Sequence, residues 1–176
     1  MAMKIFNVQD ALGSADFNEY AVNTKYAVKP SGTTRASNNT PTIDPDLQMQ
    51  VDANKSYMIE VFLLYNSDSA ANFQYRFNAP AGSALYGIQH AEAGFVGGGG
   101  SQTGIYTPFG NLPILYNTQI NLAGNAPTSD AVARISGVLN TAGTAGGFSV
   151  AWAQNTSTAF TTILRTGSFM LVKRVS

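Results

Sequence analysis

The chain contains no cysteine and one histidine among its 176 residues. Zinc fingers, iron–sulfur clusters and Cys–His nucleophile pairs need ligands or groups that this composition cannot supply. Charged residues make up only 11% of the chain, against about 25% in an average soluble domain. Ten basic and ten acidic residues cancel. Without a basic stripe to neutralise phosphates, we expect no nucleic-acid partner.

Long apolar runs are also missing, so we expect no membrane-spanning helix and no membrane partner. The start of the chain, MAMKIFNVQDALG, has neither a long apolar core nor a small-residue cleavage site, so we expect no signal peptide. What the chain has instead is uncharged polarity, since 45 residues are Ser, Thr or Asn. Its charges divide unevenly. Residues 1–92 hold six basic and nine acidic groups, whereas residues 93–176 hold four basic groups and one acidic group.

Short strands dominate from Thr24 onward. Leu47–Val51 and Phe73–Phe77 alternate apolar and polar residues, which predicts half-buried strands. In Tyr57–Tyr65, both alternating sets of side chains are apolar except at Glu60, which predicts a central strand. About eight such runs are separated by turn signals, so we predict an all-β protein, an antiparallel two-sheet β-sandwich of jelly-roll type. The closing run, Ser168–Val175, is predicted to be paired on both sides.

Two regions differ from this strand pattern. Residues 1–23 contain one candidate helix, Ser14–Val22 with Ser14 as its N-cap, and are interpreted as an arm attached to a domain of residues 24–176. Residues 86–128 hold the Gly97–Gly100 run and several prolines, which predicts a long irregular excursion with one or two edge strands. Gly137, inside the predicted strand 132–139, is interpreted as a possible bulge.

Few side chains suggest chemistry. His90 has no nucleophile elbow near it and is interpreted as a loop histidine. The Asp44-Pro-Asp46 segment with Asp52 lacks the calcium-loop pattern and is interpreted as a turn. Glu60 is expected to be buried and paired with Arg76 or Arg134. Glu60 with Glu92 is the only candidate carboxylate pair for glycoside hydrolysis. We therefore expect a protein that is not an enzyme, with no catalytic residue, metal site or cofactor.

Aromatic residues supply the candidate contact sites. One group lies in the excursion and either stacks on sugars, packs on a partner subunit or covers the end of the sandwich: Tyr86, Phe95, Tyr106, Phe109 and Tyr116. A second group lies in the arm, where Phe6, Phe17 and Tyr20 are candidates for docking onto a partner.

Two stretches resemble a known family. Residues 24–40 (TKYAVKPSGTTRASNNT), followed by DPDL at 44–47 and ANKSY at 53–57, resemble the opening of a β-sandwich domain found in virion proteins of tailed bacteriophages. The ending is similar to that of the same domain: ISGVL at 135–139, WAQNTST at 152–158, RTGSF at 165–169 and VKRV at 172–175. Residues 86–128 depart from the pattern.

The resemblance implies a virion structural protein, with a capsid decoration protein or head fibre preferred. The alternatives are a tail-associated (minor tail or collar) protein and a glycan-binding receptor module. The implied partners are other virion proteins, such as a major capsid, connector or tail protein, together with further copies of the chain, a homotrimer being favoured. The implied location is the virion. The family carries no catalytic residues to transfer.

Overall fold

A computed structural model describes residues 23–91, 118–125 and 129–175, together with the backbone of 106–108 and 114–115. These residues form thirteen β-strands in two antiparallel sheets, which confirms the predicted all-β sandwich. The strand bounds are β1 Thr24–Val28, β2 Thr33–Arg35, β3 Thr42–Val51, β4 Ser56–Asn66, β5 Phe73–Asn78, β6 Ala84–Ala91, β7 Tyr106–Pro108, β8 Ile114–Leu115, β9 Ile120–Leu122, β10 Ala131–Asn140, β11 Gly146–Gln154, β12 Thr162–Leu164 and β13 Phe169–Arg174.

Strand order identifies the jelly roll. Sheet A runs β1-β13-β4-β10-β6-β7, with β12, β2 and β8 attached to it, and sheet B runs β3-β11-β5-β9. Eight strands form four antiparallel pairs, namely β1 with β13, β3 with β11, β4 with β10 and β5 with β9. If these eight strands are counted along the chain, they pair first with eighth, second with seventh, third with sixth and fourth with fifth. This nested pairing is that of a long hairpin rolled up, which is the jelly-roll arrangement.

The excursion is an insertion between the fourth and fifth strands of the roll. It begins as a regular strand, β6, which pairs with β10 from Ala84 to Ala91 and so widens sheet A. Strands β7 and β8 pair with β6 in turn. Residues 86–91, predicted to be irregular, therefore form part of a regular strand, and His90 lies in that strand rather than in a loop.

The core lies between the sheets and contains the residues that the alternation predicts. Tyr57, Ile59, Val61, Leu63 and Tyr65 of β4 are at most 3% exposed. They meet the inward aromatic residues of sheet B, whose rings pack against one another: Phe73, Tyr75, Phe77, Phe148 and Trp152. The end of the chain is also as predicted, because β13 is hydrogen-bonded to β1 on one side and to β4 on the other.

Gly137 was predicted to form a bulge, and that prediction is wrong. Strand β10 keeps an unbroken register through Gly137 with both of its neighbours, and the irregularity lies in β11, between Ser149 and Ala151. Gly137 instead permits a close approach of two backbones, since a Cβ there would lie 2.2 Å from the carbonyl oxygen of Tyr86 and 2.9 Å from the Cα of Gly87.

Candidate functional site

The outer face of sheet A is the most unusual surface of the described residues. Alternation along β1, β13, β4, β10 and β6 turns one set of side chains outward, away from the core. The strand register aligns these side chains in three rows. We call this set the A face: Thr24, Lys173, Met58, Val138 and Tyr86; Tyr26, Leu171, Glu60, Ser136 and Ile88; Val28, Phe169, Phe62, Arg134 and His90.

Apolar side chains dominate the A face and several are well exposed. Tyr26 is 77% exposed, Met58 55% and Ile88 52%, and Val28, Tyr86 and Val138 are also exposed. The half-buried rings of Phe62 and Phe169 stack on each other at a centroid separation of 5.5 Å. Most antiparallel sheets that face water on one side carry polar residues there. The A face does the reverse.

Sheet B shows that this is a property of one face and not of the whole protein. At the outward positions of the same alternation it carries amides, a hydroxyl and one guanidinium: Gln48, Gln50, Gln74, Arg76, Asn78, Asn121 and Ser149. Gln74 and Ser149 are themselves buried. Ile43, 48% exposed, is the one large apolar side chain that is well exposed there among the described residues. The two outer faces of the sandwich therefore differ in chemistry.

Glu60 lies on the A face, where the structure corrects one expectation and confirms another. Its side chain is 42% exposed rather than buried, and its Oε1 atom accepts a hydrogen bond from Nη2 of Arg134 at 3.3 Å. Arg134 was one of the two predicted partners. Arg76, the other, cannot reach Glu60 because it lies on β5 in sheet B. In a jelly roll, strands that follow one another along the chain often lie in different sheets, as β4 and β5 do here, so the next strand in sequence is not the adjacent strand in space.

The predicted aromatic sites are only partly described. Tyr86 lies on the A face, 44% exposed, with Val138 as its Cα partner on β10. Tyr106 lies on β7, in register with His90 of β6. Phe95, Phe109 and Tyr116 of the excursion lie outside the described residues and side chains. So do Phe6, Phe17 and Tyr20 of the arm, the candidate helix 14–22 and Glu92.

A buried ionic cluster went unpredicted. Nζ of Lys29 donates to Oδ1 and Oδ2 of Asp44, at 3.0 and 2.9 Å, and to Oδ2 of Asp46 at 3.0 Å. The side chains of Lys29 and Asp44 are both fully buried. Nε1 of Trp152 also donates to Asp44 Oδ2, at 3.0 Å, and the guanidinium of Arg35 lies 4.0 Å from the Trp152 ring centroid. The Asp-Pro-Asp segment, which the sequence was interpreted to place in a turn, belongs to β3, because that strand covers Thr42–Val51.

This cluster joins the two sheets. Lys29 follows β1 of sheet A, whereas Asp44 and Asp46 belong to β3 of sheet B. Burial lowers the pKa of Arg35, and the nearby Asp44 carboxylate raises it in part. With two cations and two carboxylates, the cluster is neutral overall, which limits the cost of burying it. One sequence signal could have found it: Asp44 and Asp46 stand two apart in a strand and therefore point to the same side.

Two further observations concern the whole described part. Among its residues, no group of three or more His, Asp or Glu side chains could hold a metal ion. No helix in this part of the chain is long and apolar enough to cross a membrane.

No family model and no curated protein matches the chain. Among solved structures, it is similar to Eiger TNF from S. frugiperda, with 11% identity and a TM-score of 0.41 over 87% of this chain and 92% of that chain. It is also similar to the tripod from the baseplate of bacteriophage Tuc2009, with 12% identity and a TM-score of 0.30 over 99% and 78%. Infectious bursal disease virus Gx strain gives 14% identity and a TM-score of 0.22 over 86% and 39%. These likenesses are too weak to transfer a function, and the fold assignment depends on the strand order alone.

Proposed function

We propose that this chain is a non-enzymatic structural protein of a bacteriophage virion, a capsid decoration protein or head fibre on the particle surface. Its partners are other virion proteins and further copies of itself, with a homotrimer as the favoured assembly. The sequence resemblance of the two ends of the domain points to the virion. The A face supports an assembling role.

One observation carries the proposal: the sandwich has one polar and one apolar outer face. Contiguous apolar patches larger than a few hundred Å² are rare on monomeric proteins and mark interaction surfaces. A shell or fibre subunit needs such a surface towards its neighbours and an inert surface towards solvent. The exposed polar part of the outer face of sheet B, which includes Gln48 and Gln50, fits the second requirement, and the A face fits the first.

The location is tested on virions of the phage that encodes this sequence. Cryo-electron microscopy of purified particles is expected to show the sandwich on the head, at a position with local threefold symmetry. Density on the tail or collar would support the tail-associated alternative instead. If mass spectrometry finds no trace of the protein in purified particles, the virion proposal is wrong.

Residues 1–23 are proposed as the arm that joins the subunit to the particle. A chain lacking them is expected to remain folded, by circular dichroism, and to stop binding to particles that lack the protein. The full-length chain, added to the same particles, is the control. Normal decoration by the truncated chain would show that the arm has no docking role.

Glycan binding is the second candidate, and the exposure of Tyr86 favours it, since an exposed tyrosine ring on a flat sheet can stack on a sugar. The purified protein is applied to a glycan array, and any signal is retested with Tyr86→Ala. Loss of the signal in that variant, with Tyr26→Ala as the matched exposed-tyrosine control, would support a receptor module. An array without binding leaves only the structural proposal.

A further inference from the structure

We infer that the A face is the self-association surface of this protein, covered in the assembled state by another copy of the same chain. The inference rests on the proposed function, because it names the partner that an assembling subunit places on this face. It goes further by assigning the contact to one side of one sheet, and by excluding the other outer face.

The first argument is the arrangement of the exposed apolar groups. Of the nine large apolar side chains that are well exposed in the described residues, six lie on the A face: Tyr26, Val28, Met58, Tyr86, Ile88 and Val138. They lie on β1, β4, β10 and β6, and the half-buried Phe62–Phe169 stack lies on the same face, next to Val28. A cluster that combines aromatic residues with methionine has the composition of a protein–protein interface.

The second argument is charge, which excludes a strongly charged partner and is compatible with a second copy. The central charges of the A face already neutralise each other, since Glu60 pairs with Arg134 within the chain. Lys173 adds one cation near the end of β13. A strongly acidic or basic partner would find no complementary field there, whereas the surface of a second copy, which is neutral overall, would meet no net repulsion. The chain as a whole has zero formal net charge, so its copies do not repel one another.

The third argument is area. Five strands about 4.8 Å apart, with outward rows over about 20 Å of strand length, give a face of roughly 450 Å², or about 900 Å² for two copies. This flat value excludes side-chain relief, and it approaches the roughly 1,000 Å² that a specific interface requires. The A face is therefore near the lower limit of what holds two copies together, which predicts weak self-association.

Two isoleucines give a matched test of the inference. Ile88 is on the A face and 52% exposed, and Ile43 is on the outer face of sheet B and 48% exposed. The full-length wild-type chain, Ile88→Glu and Ile43→Glu are compared by sedimentation velocity over a range of concentrations, with circular dichroism to verify folding. Ile88→Glu is expected to weaken self-association about 30-fold or more, as for a buried hot-spot residue. Ile43→Glu is expected to associate like the wild type.

A second readout avoids a charged substitution, in case Ile88→Glu fails to fold. Because the chain has no cysteine, Ile88→Cys and Ile43→Cys each introduce a single thiol. The thiol at position 88 is expected to react with a maleimide at least about 10-fold more slowly than the one at 43 when the protein is associated. The two rates are expected to converge on dilution to monomers.

The possible outcomes separate the two proposals. If wild-type protein stays monomeric at high concentration, or if Ile43→Glu dissociates it and Ile88→Glu does not, the A face is not the self-association surface. Either result leaves the virion location to be decided by microscopy of particles. If the protein associates through the A face but is absent from virions, this inference stands and the proposed function fails.

Discussion

Replacing Asp44 by Asn tests whether the buried ionic cluster holds the two sheets together. The substitution keeps the size of the side chain and removes its charge. Both Asp44 oxygens are fully used: Oδ2 accepts from Lys29 Nζ and Trp152 Nε1, and Oδ1 accepts from Lys29 Nζ and the backbone N–H of Asp46. In Asp44→Asn, the amide NH₂ group would replace one of these two oxygens, and a donor would then point at the N–H donors that the oxygen had accepted from.

The expected loss of stability follows from this geometry. Removing one partner of a buried ion pair costs about 3–5 kcal/mol, because the remaining charge stays buried without compensation. Asp46 still lies 3.0 Å from Lys29 Nζ, so we expect the lower end, about 3 kcal/mol. For a chain of this length, that corresponds to a decrease in Tm of about 6–12 °C.

The assay is urea unfolding followed by far-ultraviolet circular dichroism and by tryptophan fluorescence. Trp152 is the only tryptophan of the chain and lies in the cluster, so its emission reports on the site itself. All variants are compared at one protein concentration, because self-association adds apparent stability. Asp130→Asn is the control, since Asp130 and Arg165 form a 2.9 Å ion pair with both side chains more than a third exposed.

The control is expected to lose no more than about 1 kcal/mol, as exposed ion pairs contribute little. Lys29→Met combined with Asp44→Asn removes the fully buried pair, and it is expected to be less destabilised than the sum of the single changes, because neither member of that pair is left alone. If Asp44→Asn costs no more than Asp130→Asn, the cluster does not stabilise the sandwich and the reasoning is refuted.

Two further predictions concern single strands. Gly137→Ala is expected to destabilise the fold by about 1–3 kcal/mol in urea unfolding, because the added Cβ would lie 2.2 Å from the backbone carbonyl oxygen of Tyr86. Gly147→Ala is the neutral control, since no atom would lie nearer than 3.9 Å to its Cβ. Equal stabilities of the two variants would contradict the close approach. Burial raises the pKa of Tyr75 well above its ordinary value, so the stability it contributes is present below about pH 10 and is lost as the pH rises further. Tyr75→Phe is therefore expected to lessen the decline of the unfolding free energy between pH 9 and 11.5, measured by circular dichroism in urea. Tyr26→Phe, at an exposed position, is expected to leave that decline unchanged. Identical slopes for the wild type and both variants would argue against a buried phenol.

The strands and their inward faces could be predicted from the sequence because alternation is a local signal. Phe73, Tyr75 and Phe77 share one parity and are all buried, and the same holds for Phe148, Val150 and Trp152. The ionic cluster could not be predicted in this way. Lys29 and Asp44 are fifteen residues apart and belong to different sheets, so only the rolled topology brings them together.

Glu60 shows a different limit. The sequence predicts β4 as a central strand, and this is confirmed by its pairing with β10 and β13. Because both alternating sets of side chains in this strand are mainly apolar, the sequence does not show which set faces the core. The structure places Tyr57, Ile59 and Val61 inward, and therefore turns Met58, Glu60 and Phe62 outward.

The two-sided apolar pattern of β4 is not explained by the core alone. The core needs only the inward set, and polar residues at Met58, Val138 or Ile88 would leave it intact, since all three point away from the opposite sheet. Outward apolar side chains contribute little to the stability of an isolated sandwich, and they favour aggregation. They are nevertheless placed side by side across adjacent strands, on one face of the sandwich and not on the other. The proposed self-association would account for this placement, and it would also account for the scarcity of charge, because each charge buried in an interface has a desolvation cost.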